Sequence, residues 1–95
     1  MPYSIAERIS KILRSDSPIV KSWSPSNIRI SKEGLEFAVN GHFFKGRVRV
    51  ISDSKLEYFD IIFFESDGTF HEAIFGFLAE ELIEKIDNKV SLGNY

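Results

Sequence analysis

The sequence predicts an α+β fold: an N-terminal helix, an antiparallel β-meander of four or five strands, and a C-terminal helix packed on the sheet. Three observations predict it. Apolar residues alternate with polar ones from Ile28 to Phe75, the two-residue period of a half-buried strand. That stretch is cut by three glycine-bearing turn sequences, Ser31-Lys32-Glu33-Gly34, Asn40-Gly41 and Asp67-Gly68, which are the punctuation of hairpins. The segments on either side repeat their apolar residues at three and four instead.

The first helix is expected to begin at Ser4, because Ser4-Ile5-Ala6-Glu7 fits a capping box, in which hydroxyl and carboxylate each take one unpaired backbone amide. Ile5, Ile9, Ile12 and Leu13 then form one apolar stripe, with Arg8, Lys11 and Arg14 off it. Ser15 to Ser26 reads as a serine- and proline-bearing connector around Ile19, Val20 and Trp23. At that length it is expected to be tied down by Trp23 or to be functional, and it has room for a short edge strand.

Strands are expected at Asn27 to Ser31, Leu35 to Val39, His42 to Ile51 and Leu56 to Glu65. A two-residue turn at Asn40-Gly41 sets Val39 opposite His42, Phe37 opposite Phe44 and Leu35 opposite Gly46. A four-residue turn at 31–34 and another at Ser52 to Lys55 then place Ile28, Ile30, Val48, Val50, Phe59, Ile61 and Phe63 on the same face, the core face. Gly46 implies close approach of a helix rather than a bulge, since a slip there would drive Arg47 and Arg49 inward. Thr69 to Phe75 admits a fifth strand or the start of the last helix, and Gly76 with the β-rich run before it favours the strand. The last helix is expected from about Phe77 to Asn88 with Leu78, Leu82, Ile83 and Ile86 inward, and 91–95 as a flexible tail.

Composition narrows the function. Ninety-five residues, 43% hydrophobic and 27% charged, make one globular domain. The absence of cysteine excludes disulfides, zinc-thiolate sites and thiol catalysis. A net charge of -2 argues against a dedicated polyanion binder. Glu7, Arg8 and Lys11 break any apolar run before Leu13, so neither a signal peptide nor a membrane span is expected, and the cytoplasm is the expected compartment.

The second face of the sheet carries what functional signal there is. The same register puts Arg29, Glu36, Ala38, Phe43, Lys45, Arg47, Arg49, Tyr58, Asp60, Ile62 and Phe64 there, with His71, Ala73 and Phe75 if the fifth strand forms. Phe43, Ile62, Phe64 and Phe75 form an apolar patch that must be covered by a helix, by the Trp23 connector, by a second copy, or by a partner. Lys45, Arg47, Arg49 and Tyr58 form a basic and aromatic stripe of the kind that contacts nucleic acid. The competing reading of that stripe is a charge ladder, with Arg29 and Lys45 against Glu36, Arg47 against Asp60 and Arg49 over Tyr58.

The order of elements is similar to that of the double-stranded-RNA-binding domain. That domain uses lysines at the start of its last helix, where this chain has Glu80, Glu81 and Glu84.

Catalytic signatures are absent from the sequence. His42 and His71 lack a second donor at a metal-ligand spacing, the glycines form no phosphate loop, and no serine sits in a nucleophile elbow. Glu65 and Asp67 flank a turn and are expected to serve it rather than to act as an acid and base pair. The expectation is therefore a non-catalytic interaction module without cofactor or metal, self-associating or docking a protein partner through Phe43, Ile62, Phe64 and Phe75. The alternative is a nucleic-acid-binding accessory protein using Lys45, Arg47 and Arg49.

Overall fold

A computed structural model describes residues 4–15, 17–52 and 58–92. Helix α1, Ser4–Arg14, is followed by a short helix α2, Ser17–Lys21, then by strands β1 (Ser26–Ile30), β2 (Gly34–Asn40), β3 (Lys45–Ser52), β4 (Phe59–Glu65) and β5 (Phe70–Phe77). The chain ends in a 3-10 turn at Ala79–Glu81, helix α3 (Leu82–Asp87) and a π-helical turn at Asn88–Leu92. The strands lie in sequence order, each antiparallel to the next. This is the expected α+β meander, with the fifth strand formed.

The helical stripe settles α1 on the sheet. Ala6, Ile9 and Leu13 are buried and Ile5 and Ile12 pack partly against them, while the side chain of Ser4, half of the expected capping box, lies outside the described residues. The connector holds a helix, not an edge strand. Pro18 stands in the first turn of α2, where a missing amide hydrogen costs no intrahelical bond. Trp23 ties the segment down as expected. It is fully buried, lies parallel to the Phe37 ring with centroids 6.4 Å apart, and donates from Nε1 to Asp87 Oδ1 at 2.9 Å. Its carbonyl accepts the Asn40 amide at 2.8 Å.

Two hairpins differ from expectation in register but not in face. Val39 pairs with Gly46, Phe37 with Val48 and Leu35 with Val50, four residues beyond the expected partners. Phe37 and Phe44 are therefore not cross-strand neighbours. The cause is tertiary. The amides of Phe43 and Phe44 both donate to the Val90 carbonyl, at 2.9 and 3.3 Å, which pulls His42 to Phe44 out of the strand and into a loop. Neither Asn40 nor Gly41 has positive φ, so no type I′ turn forms. Gly41 is needed for closeness instead, since a Cβ there would stand 2.1 Å from Val90 Cγ1 and 2.5 Å from its carbonyl oxygen.

On the other side, β3 meets β4 with Arg47 opposite Phe64, Arg49 opposite Ile62 and Ile51 opposite Asp60, again four residues from the expected register. Residues 53–57, on which most of the expected turn and the strand start at Leu56 fall, lie outside the described residues. Both displacements are even, so the side chains that stay in β2, β3 and β4 keep their faces. No bulge occurs at Gly46, yet what approaches it is the Phe44 ring and the Phe64 carbonyl oxygen, not a helix.

The core lies on one side only. Leu35, Phe37, Val39, Val48, Val50, Phe59, Ile61 and Phe63 meet Ala6, Ile9 and Leu13 of α1 and Leu82 and Ile86 of α3. Phe44 joins them edge-on to Phe63, with centroids 5.5 Å apart. The C-terminal segment departs from expectation at both ends. Phe77 completes β5 and is buried, whereas Leu78, expected inward, is exposed, and its amide donates to the Glu81 carboxylate at 3.0 Å. Val90, just past the expected end of the helix, is fully buried. Of the expected tail, 93–95 lie outside the described residues. No helix among the described residues is long and apolar enough to cross a membrane.

Candidate functional site

The candidate site is the sheet face opposite the helices. Alternation along β3 and β4 puts Arg47, Arg49, Ile62 and Phe64 there, one residue out of step with the buried Val48, Val50, Ile61 and Phe63. Ala73 joins them opposite Ile62. The core cluster draws no second-face residue, and α1 and α3 both pack on the other side. Of the four covers that the sequence leaves open for the patch, a helix among the described residues is therefore not the one.

β5 is bulged twice, between the pairs of Phe59 and Ile61 and between those of Phe63 and Phe64, and the bulges redistribute its side chains. At the second, Phe70 rather than His71 comes opposite Phe64, and both Phe70 and Phe75 are well exposed, Phe75 at 69%. At the first, Gly76 takes φ +71°, a conformation glycine adopts without a Cβ penalty, and its amide donates to Asp60 Oδ1 at 3.0 Å. Phe43, expected in the patch, instead sits in the 41–44 loop, with its ring edge-on to His42 and centroids 4.7 Å apart. Ile62 and Phe64 are therefore brought together with Ala73, Phe70 and Phe75, and Phe43 is not.

Beside this apolar strip lies a charge triad. Glu36 accepts from Arg47 through Oε2 and from Arg49 through Oε1, the latter at 2.9 Å from Nη2 and 3.1 Å from Nε. Partial burial works against ionisation of Glu36, but the hydrogen bonds and charges of the two guanidinium groups outweigh it together and hold the carboxyl below its usual range. The Arg49 guanidinium also lies 4.8 Å from the Phe64 ring centre, within cation–π range. Arg49 thus covers Phe64, not Tyr58, and Asp60 is not Arg47's partner. Lys45, opposite Asn40, is exposed and forms no ion pair among the described residues. Tyr58 is exposed just before β4, its carbonyl accepting from Ser52 Oγ at 2.8 Å. Arg29 is exposed opposite Glu36.

His71 belongs to another group. Its Nδ1 pairs with Glu65 and its Nε2 stands 2.7 Å from Lys89 Nζ. Lys89 also reaches Glu72 at 3.2 Å and lies 5.4 Å from the Phe44 ring centre. The group clamps the C-terminal turn to β5. Nothing local announces it, since Lys89 is 18 residues from His71. Glu65 is thereby engaged, and Asp67 accepts the Thr69 amide at 2.9 Å and its hydroxyl. Those two bonds hold the Asp67 carboxyl below its usual range. Both acids serve the turn and its flank. Among the described residues no three histidine or acidic side chains are grouped to hold a metal ion.

No protein-family model, no curated protein and no solved structure matches the chain.

Proposed function

We propose that the protein is a small non-catalytic interaction module that docks a protein surface, its own copy's or another chain's, through the second face of the sheet. The supporting observation is the one-sided distribution of cover: both long helical segments lie on the core face, and Ile62, Phe64, Ala73, Phe70 and Phe75 form an uncovered strip on the other. Burying an aromatic side chain of this kind contributes roughly 1.5–3 kcal/mol, and an apolar strip rimmed by charge is the usual anatomy of an interface. The bulges in β5 blunt the sheet edge, which favours the face over edge-to-edge pairing.

The nucleic-acid alternative has less support. Glu36 neutralises one of the two arginines it binds, so the stripe of Lys45, Arg47 and Arg49 offers about two net charges, and counterion release from two contacts supports only weak, salt-sensitive binding.

A photoreactive phenylalanine analogue at position 75 tests the docking reading in the cells that make the protein. Irradiation is expected to yield one defined cross-linked species, suppressed by Phe64→Asp, while the same probe at Glu84 on α3 yields none. Absence of a species at position 75, or equal patterns at both positions, would overturn docking. Salt-sensitive oligonucleotide binding that disappears in the triple change of Lys45, Arg47 and Arg49 to glutamine would establish the alternative.

A further inference from the structure

The core face of the sheet runs past the helices that cover it. Ile28 and Ile30 of β1 alternate onto that face, yet they are 64% and 57% exposed, because α1 packs over β2 and β3. The gap is a groove of about 490 Å³ between α1 and β1, with Leu35, Phe37, Ile28 and Ile30 among its lining residues. Among the described residues its polar lining consists of Glu7, Ser10 and Arg14. All three come from one flank of α1, at i, i+3 and i+7.

Among the described residues neither Glu7 nor Arg14 forms an ion pair, and Arg14 instead folds back to donate from Nη2 to Ser10 Oγ at 2.8 Å. The helix dipole accounts for an acid in the first turn and a base in the last. It does not account for both standing on the flank that borders an open apolar groove. The flank is complementary to itself reversed: acid at one end, base at the other, a small hydroxyl between. A twofold axis passing near Ser10 sets Glu7 of each copy against Arg14 of the other, as an isologous contact requires. Across the interface the order becomes β1, second-copy α1, α1, second-copy β1, so each helix lies over the other copy's groove. Pairing of the exposed β1 edge is the competing mode, but β1 is interrupted by a bulge between Ser26 and Arg29 and by Asn27 at φ +51°, which break its ladder.

We propose that the groove between α1 and β1 is a homodimer interface, in which antiparallel α1 helices exchange Glu7–Arg14 ion pairs over Ile28 and Ile30. The apolar lining supplies the attraction, and the charges select the antiparallel orientation and this partner. The interface uses neither the second face nor Phe64, so it stands or falls separately from the docking reading.

Light scattering across a concentration series tests it with charge reversals. The parent protein is expected to dimerise with micromolar affinity, and Glu7→Arg and Arg14→Glu alone are each expected to weaken dimerisation about tenfold or more. Mixing the two single variants sets both acids of one against both bases of the other and is expected to restore a mixed dimer. The double variant restores it within one chain, Ile28→Asp gives monomers, and Phe64→Asp leaves this dimer intact. Circular dichroism on the same samples confirms folding, and the mixing experiment needs only the two singly changed chains. A parent that stays monomeric at hundreds of micromolar, single variants as dimeric as the parent, or a mixture no more associated than its components would each overturn the proposal.

Discussion

The two faces of the β3–β4 ribbon share one backbone and nearly one alternation, yet their side chains fare differently. Val48, Val50, Ile61 and Phe63 are fully buried, whereas Arg47, Arg49, Ile62 and Phe64, each one residue along, are not. Strand geometry alone makes the faces equivalent. What separates them is what lies above: α1 and α3 on one side, a charge triad and an uncovered apolar strip on the other. Apolar content by itself is thus no guide to which face is core, since Ile62, Phe64 and Phe75 are as hydrophobic as the residues buried behind them. On the side that lacks a helix, apolar area at Phe70 and Phe75 stays exposed.

The sharpest way to break this comparison is to truncate neighbouring phenylalanines of β4. Phe63→Ala removes a buried ring that packs against Phe44 and is expected to cost about 3–5 kcal/mol in urea-induced unfolding. Phe64→Ala removes a half-buried ring stacked under Arg49 and is expected to cost about 1 kcal/mol. Equal costs would mean that the second face is covered in solution, and the description of it as open would be wrong.

The C-terminal turn supplies the next largest effect. Gly41→Ala forces a methyl to within van der Waals overlap of the Val90 carbonyl. Backbone has to shift to relieve it, so a loss of about 1–3 kcal/mol is expected. Gly68→Ala meets nothing within 4 Å and pays only for an alanine at φ +92°, about 1 kcal/mol. If Gly41→Ala is the milder of the two, as judged by melting temperature, the Val90 contact does not hold the 41–44 loop.

That pair of glycines also shows how far the sequence could be read. Asp67-Gly68 forms the turn its residues announce, because every bond that makes it is local: Gly68 donates to Glu65 and Asp67 accepts from Thr69. Asn40-Gly41 carries a stronger signal and does not form its turn, because Val90, far along the chain, takes the amides of Phe43 and Phe44. Meander, core face and helix stripe were legible since each rests on periodicity that tertiary contacts reinforce. The four-residue displacements of register, the bulges that move His71 and Phe70, and the clamp through Lys89 were not, since they depend on contacts between distant segments. Even displacement spared the assignment of faces. An odd one would have exchanged Arg47 and Arg49 with Val48 and Val50, which burial of charge forbids, so the hydrophobic pattern constrained the error to the harmless kind. Ile28 and Ile30 show the reverse limit: alternation assigns them to the core face but cannot say that α1 stops short of them.

The triad beside the apolar strip gives the smallest expected effect and a distinctive pH signature. Removing the Glu36 charge by Glu36→Gln leaves Arg47 and Arg49 facing each other and is expected to cost roughly 1 kcal/mol at neutral pH, since the site is part-exposed and screened. Because the folded-state pKa of Glu36 lies below its unfolded value, the native state holds its proton more weakly. The stabilisation is complete above the ordinary glutamate value of about 4.3 and is lost as pH falls through the lower folded value. Melting temperatures of parent and Glu36→Gln protein should therefore differ by a constant amount from pH 6 to 8, by about the same ionisation argument, and converge below the ordinary glutamate range. A difference that persists undiminished in acid would assign the effect to lost packing and not to the ion pairs. Salt dependence should accompany the convergence in acid: raising ionic strength is expected to shrink the gap at neutral pH, since Arg49 is the more exposed of the two partners, and a gap indifferent to salt would likewise remove the triad's electrostatic role in setting the rim of the second face.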